Sequence, residues 1–539
     1  MNVAAGQEAS LAAGRAALAC AAWAQARARF EEAVAAGDVA EGWEGLSRAA
    51  WWQGDQEATL HARERAYRAY RGAGDVCAAA RMAMWLASDH LDFRGDDAVA
   101  AAWLRRGRAL VGDRGPCVEL GFIVVLEADI ALLAACDPVR AERLAREALE
   151  VVRGLSDVGV EVVALAVLGS ALVASGQIEE GLRRLDESAA LAVGEEFSEI
   201  AAPGWALCHT VSACAEVGDF GRAAQWCRAL HSWSETWQAR HFFGVCRTAY
   251  GEVLATGGDW SSAEQELLSA MEDLRLTRPA LTAPTAVRLG RLRARQGELV
   301  EARLLFESAL PLPQAILALG ELELTGGDAT AAADAADRVL RRLGDANVLD
   351  RLPAFELLAR ARATAGDGVG AAAAADQVEA QAGRLATPYM RGRGRLVRAE
   401  VMLAVGDHDG TRRAAEDAVD LFAACSAPFE TAQARMLQSQ ALEALGRPER
   451  AEAQARAARE AFALLGARGP ARRGTTEELS PREVDILRLV GRGLGDAQIA
   501  QRLFLSPHTV HRHIANIRTK LRVRSRAAAV AYATRHSLL

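Results

Sequence analysis

Ten residues near the C-terminus carry side chains suited to phosphate and base edges: Ser506, His508, Thr509, His511, Arg512, Ala515, Arg518, Lys520, Arg522 and Arg524. Arginine presents a planar fork of donors that matches a phosphate or the paired acceptors of guanine. Lysine presents a compact point charge. Serine and threonine hydroxyls donate to phosphate oxygens, and alanine offers only apolar contact, as to a thymine methyl. From Ala497 to Leu539 no acidic residue occurs, while eight Lys and Arg and four of the ten histidines do.

The elements that must position these residues are four short helices. Ser480-Pro481-Arg482-Glu483 reads as a capping box with proline at the first helical position. The helix it opens buries Val484, Leu487 and Val490 and ends at Gly491 or Gly493. A second helix starts near Gly495-Asp496 and buries Ile499, Ala500 and Leu503, with a turn at Phe504-Leu505. Ser506-Pro507 caps the third, whose inward stripe is Val510, Ile514, Ile517 and Leu521 at spacings of 4, 3 and 4. Its opposite face therefore shows His508, His511, Arg512, Ala515, Arg518 and Thr519. Ser525 caps a fourth helix carrying Ala528, Val530 or Ala531, and Tyr532. Helix–turn–helix with supporting helices is a geometry that reads DNA in the major groove.

Residues Leu479, Arg482-Glu483, Leu487, Gly493, Ile499-Ala500, Leu503, Ser506, Thr509-Val510, His513, Ile517, Lys520-Leu521, Arg526 and Ala528 carry a closer likeness. Through them the segment resembles the LuxR/FixJ-type helix-turn-helix domain over about 61 residues. It departs from that pattern at Gly495-Asp496-Ala497-Gln498, where the family usually has Ser-Asn-x-Glu, and at His511, where Lys is common. The resemblance implies that His511, Arg512 and Ala515 face bases and that the fourth helix dimerises, with Val530 and Tyr532 as candidates for that contact or, with equal weight, for plain core packing. Ser506, Thr509, Arg518, Lys520, Arg522 and Arg524 are placed for phosphates, which supply affinity and salt dependence rather than sequence choice.

Charge separates this segment from the rest. Residues 471–539 hold 13 basic and 5 acidic residues, +8, and the remainder holds 50 and 65, −15. Phosphate would repel the acidic part and attract only the tail. The sole lysine of the chain is Lys520, so no Walker A loop exists before it, and a receiver domain with its strand-borne Asp cluster and Lys is not expected. No Gly-x-Ser-x-Gly elbow or His-Glu-x-x-His occurs, so no enzymatic activity is expected. Nine cysteines without a Cys-x-x-Cys pair read as reduced, mostly buried thiols of a cytoplasmic protein. No apolar run approaches a membrane span.

The preceding residues are periodic. Gly-Asp or a close relative recurs at Gly54, Gly95, Cys136-Asp137, Gly176, Gly218, Gly258, Gly297, Gly327, Gly366, Gly406 and Gly446, at steps of 39 to 42 with one step of 30. Each unit joins a helix of apolar and small residues (Ala164, Leu168, Ala171 and Leu172 in one) to an amphipathic helix (Leu182, Leu185 and Ala189) through the glycine turn. A fixed period of this length is the signature of a solenoid. The units resemble tetratricopeptide repeats in a longer-spaced form, which implies a right-handed superhelix with a concave surface for a ligand or partner. All 11 tryptophans lie between Trp23 and Trp260. The densest stretch, His231–Cys246, reads either as an aromatic pocket or, with the greater weight, as inter-repeat packing plus a longer loop. Cys227, His231, His241 and Cys246 fit no standard zinc spacing.

The expected fold is therefore all-α: a tetratricopeptide-like α-solenoid over 1–465, a linker over 466–478, and a four-helix helix-turn-helix DNA-binding domain over 479–539. The expected function is a cytoplasmic, sequence-specific transcriptional regulator. Its recognition helix 506–521 meets double-stranded promoter DNA as a homodimer, and its repeats sense a protein or small-molecule effector. No cofactor, catalytic residue, metal or membrane is called for. The alternative is a protein-interaction scaffold with a secondary DNA-binding module, motivated by the size and −15 charge of the array.

Overall fold

A computed structural model describes the chain except residues 1, 113, 156, 195, 196, 198, 468–478, 480, 504, 522, 524 and 536–539. Side chains 2–4, 240–243, 481, 508, 519, 520, 527, 532, 534 and 535 are likewise outside the description. Among the described residues every regular element is helical, and no helix is long and apolar enough to cross a membrane. The chain is an all-α, tetratricopeptide-like solenoid followed by a four-helix helix-turn-helix domain. It forms two compact units, one of residues 1–321 and 329–468 and the other of residues 322–328 and 469–539.

The Gly-Asp grammar has a local mechanism. All eleven turn positions, Gly54 to Gly446 and including Cys136, are left-handed, with φ between +52 and +93°. Most L-residues resist that conformation, which is why glycine fills ten of the eleven. At the first of them, Gly54 N–H bonds Trp51 O at 3.0 Å and Asp55 N–H bonds Ala50 O at 3.0 Å, closing the last turn of the first helix. The aspartate then caps the second helix. Asp55, Asp137, Asp219, Asp259, Asp367 and Asp407 each accept the backbone N–H three residues on, at 2.9–3.2 Å. Two residues thus stop one helix and start the next. The single short step comes from a ten-residue second helix, Leu299–Ser308, where Trp260–Thr277 has 18.

The two helices of a pair bury different amounts of surface. In Val158–Ala174, 15 of 17 residues are buried, so this helix is enclosed on all sides. In Ile178–Gly194 only Gly181, Leu185, Ser188, Ala189 and Ala192 are, so its remaining face meets water. Fully buried alanines such as Ala26, Ala166 and Ala415 let the helices approach closely. One apolar core runs from Leu11 to Cys246. Trp23 stacks on Trp52 at 4.8 Å and Trp51 meets Trp52 edge-on at 4.9 Å, so the N-terminal tryptophans supply core. The expected longer loop within 231–246 is absent. Gln238 takes the left-handed position at φ 49° and joins helices Phe220–Trp237 and Arg240–Gly257 as tightly as the glycines do. Trp233 and Trp237 pack on the core, His231 pairs with Glu235 at 3.2 Å, and the His241 side chain lies outside the described residues.

Distant repeats also touch. Val173, Leu185 and Val217 share an apolar cluster with Val348, Leu385 and Met390. Around that seam Asn347 Nδ2 donates to Cys136 O at 3.1 Å, Arg384 to Ser175 O at 2.7 Å, and Thr387 Oγ1 to Val217 O at 2.6 Å. Arg48–Glu199 and Arg295–Glu430, each at 2.6 Å, add ionic staples between repeats far apart in sequence. Burial pushes the carboxyls of Asp89 and Glu216 up to about 7, against the pull of Arg63 and Arg288 respectively.

Gly218 tests the double duty of the turn. A Cβ there would both force a side chain into φ +77° and collide with Tyr389. At Gly406, with φ +83°, it would meet nothing. Gly406→Ala is expected to cost about 1–2 kcal/mol, the left-handed penalty alone. Gly218→Ala is expected to cost about 2–5 kcal/mol, because overpacking adds to that penalty. Equal shifts in urea midpoint for the two variants would show that the Gly218–Tyr389 contact contributes nothing.

Candidate nucleic-acid interface

The four expected helices of the C-terminal unit are Pro481–Gly491, Asp496–Leu503, Pro507–Lys520 and Arg526–Arg535. Their shared core is Ile486, Leu487, Leu489, Val490, Ile499, Ala500, Val510, Ile514, Ile517, Leu521, Ala529 and Ala533. The inward stripe of the third helix is as its spacing requires. Two details differ elsewhere. Val484 and Leu503 are half-buried, and Ile486 and Leu489 join Leu487 and Val490 inside. In the fourth helix Ala529 and Ala533 face inward, whereas Ala528 and Val530 are half-buried and Ala531 is exposed. An alanine-rich run carries too little polarity contrast for its phase to be legible. The Tyr532 side chain lies outside the described residues.

Caps hold the third helix in place. Ser506 Oγ accepts Thr509 N–H at 3.0 Å and lies 2.8 Å from Thr509 Oγ1. The fourth helix is capped likewise, with Ala528 N–H on Ser525 Oγ at 3.1 Å. Ser480, the first-helix cap, lies outside the described residues. At the second helix Gly495 has no side chain to cap with, but Gln498 Oε1 accepts the Gly495 N–H at 2.9 Å. That is the reciprocal half of a capping box, so the departure from Ser-Asn-x-Glu keeps part of the cap.

Two polar anchors that spacing did not single out set the orientation of this helix pair. Arg526 bonds the Asp496 carboxylate and, through Nη2, Leu494 O at 2.7 Å. Asp496 Oδ2 lies 3.5 Å from His511 Nδ1 on the third helix. Arg482 Nη2 donates to Leu503 O at 2.8 Å and ties the first helix to the end of the second. The sequence signals for them were Asp496 at a helix start and Arg482 and Arg526 among the family-matching residues.

Among the ten singled-out residues, Ser506, His511, Ala515 and Arg518 are exposed, and Thr509 and Arg512 are partly exposed. They are brought together along one side of a single helix and its cap, opposite the buried stripe. His508 and Lys520 belong to that helix with side chains outside the description, and Arg522 and Arg524 lie outside it altogether. The helix dipole favours anions at such a helix start. An exposed basic helix preceded by a capped turn and a supporting helix defines a helix-turn-helix DNA-binding domain.

Residues 477–533 match the luxR family of bacterial regulatory proteins, so the chain carries a luxR-family helix-turn-helix domain at its C-terminal end. The oxygen regulatory protein NreC of Staphylococcus aureus, in strain JH9 and in strain Mu3 among others, is 44% identical over 61 residues. Those residues are 11% of this chain and 28% of NreC, so the chain spans little more than a quarter of these curated relatives. Over larger stretches the chain superimposes loosely on solved helical-repeat structures. A Rap protein complexed with Competence and Sporulation Factor gives a TM-score of 0.40 at 14% identity, covering 72% of this chain and 98% of that one. The quorum sensor NprR of B. thuringiensis, in its apo form, gives 0.38 at 12% identity, covering 63% and 97%.

Between the first and third helices, His513 is buried beside buried Glu483. Burial lowers the His513 pKa below its ordinary 6.5, outweighing the pull of Glu483, with Arg512 and Arg482 lowering it further. The unfolded chain therefore takes up the proton first. The resulting stability is complete above pH 6.5 and is lost as pH falls below it. Opening free energies for helix 507–520, from hydrogen exchange corrected for intrinsic pH dependence, are expected to fall from neutral pH to about pH 5. His513→Gln should flatten that slope, and an unchanged slope would remove His513 as its source.

Proposed function

We propose that the protein is a sequence-specific DNA-binding transcriptional regulator whose helix 506–521 enters the major groove of promoter DNA. The observation that carries this reading is the exposed side of that helix. It lies opposite a complete apolar stripe, in a segment of charge +8 attached to a remainder of −15. His511, Arg512 and Ala515 are assigned to base edges. Ser506, Thr509, Arg518, Lys520, Arg522 and Arg524 are assigned to the flanking backbone, and His508 to the same DNA-facing side without a particular partner. In this reading residues 479–539 are the reader, 466–478 the linker, and 1–465 an array that receives a protein or small-molecule effector. The reader acts as a homodimer through its fourth helix, in the cytoplasm where its DNA lies.

Selection of duplexes from a random pool by the full chain tests the assignment. Enrichment of one recurrent site is expected, and no enrichment would overturn the reading. Against that site Arg512→Ala should lose about 10- to 100-fold discrimination at a single base pair. Lys520→Ala should instead weaken every sequence alike and flatten the salt dependence by about 0.9 in log–log slope.

A further inference from the structure

Cys208 and Cys246 lie 38 residues apart on the first helices of neighbouring repeats, Ala201–Glu216 and Arg240–Gly257. Both thiols are buried, 8% and 7% exposed, and their sulfurs lie 2.7 Å apart. A disulfide holds its sulfurs about 2.05 Å apart, so bonding asks for an approach of under about 1 Å. Of the other seven cysteines, Cys214 shares the helix of Cys208, six residues on, and the remaining six lie on other elements or turns; all nine are free thiols here. We propose that Cys208 and Cys246 form an oxidisable pair, which a peroxide converts to a disulfide that clamps these two helices.

The step balances with hydrogen peroxide as oxidant. One sulfur attacks a peroxide oxygen, the O–O bond breaks, and a sulfenic acid forms as hydroxide leaves. The second sulfur attacks the sulfenic sulfur, the S–O bond breaks, and the S–S bond forms. The two thiol protons convert the departing hydroxides to water. The peroxide is reduced to two waters and the sulfurs are oxidised to one disulfide.

Burial sets the rate. It pushes the Cys246 thiol well above its ordinary pKa, a shift the neighbouring Cys208 reinforces, so the nucleophilic thiolate is scarce. The pair therefore responds slowly, to a small neutral oxidant and to sustained exposure. The same enclosure shields the finished disulfide from reducing thiolates. Arrays of helix pairs flex by small rotations between neighbours, and this bond would lock one such joint. The locked helices carry Glu216 and Glu252, which share Arg288 at 3.7 and 2.6 Å, so the clamp holds an ionic bridge across the same joint. It gives the array an oxidant input that neither the DNA reading nor an effector requires.

The test is peptide mapping of the full chain after a hydrogen peroxide time course, with free thiols alkylated under denaturing conditions. The expected product is one cross-linked peptide pair joining Cys208 and Cys246, lighter by two hydrogens. It should be accompanied by a raised thermal midpoint that is lost when the protein is reduced with dithiothreitol in denaturant and refolded. Exposed Cys20 serves as the internal gauge of oxidation. If Cys20 is oxidised while Cys208 and Cys246 stay alkylatable, or if either links elsewhere, the proposal falls. Cys246→Ser should abolish the cross-link and the reversible midpoint shift together. The wild-type map decides the question even if that variant folds poorly. Because the readout is covalent, it stands or falls independently of DNA binding.

Discussion

The left-handed residue between the two helices of each pair is the constraint on which the array depends. A positive φ reverses the chain within two residues, and at six of the turns the aspartate that follows accepts a backbone N–H in the first turn of the next helix. Repeated at eleven positions, this reversal fixes the period and lays each second helix back on the first. Cys136 adopts the same conformation without being glycine, at φ 52°, and accepts Asn347 Nδ2 at its carbonyl. There tertiary contact holds what local preference resists.

The same turns are where distant repeats meet. Gly176 approaches Arg384, Gly218 approaches Tyr389, and Gly258 approaches Pro428 and Leu465. A turn without a side chain lets another stretch of solenoid come close, and carbonyls left over at helix ends accept from Asn347, Arg384 and Thr387. Several charged groups inside this arrangement are paired with opposite charges. Arg63 with Asp89 and Arg393 with Glu356 are examples, as burial of an unpaired charge is costly. Half-buried Asp350 is instead bonded to the neutral amides of Asn347 and Gln314.

The reader works on the opposite electrostatic principle. Among the described residues its apolar core holds twelve buried side chains, and its polar anchors include Arg526 on Asp496, Arg482 on Leu503, and Glu483 beside His513. These fix the packing of the four helices, with Arg518 exposed on the outer side of the third and Arg512, partly exposed there, paired with Asp328. The charges of the two segments are opposite, +8 over 471–539 and −15 over the remainder.

What the sequence determined alone was whatever rests on local rules. The period, the helix pairs, the stripe Val510–Ile514–Ile517–Leu521 and the caps Ser506 and Ser525 follow from turn chemistry and helical spacing, which need no knowledge of distant residues. Tertiary structure decided the rest. Gln238 closes the 231–246 segment into a tight turn because Trp233 and Trp237 have a core to pack on. Ala529 and Ala533, rather than Ala528, turn inward because the three preceding helices leave space for them. Asp496 meets Arg526, and Cys208 meets Cys246, across gaps of 30 and 38 residues. Such pairings depend on how helices pack in space, and the spacing of residues along one chain carries no record of that.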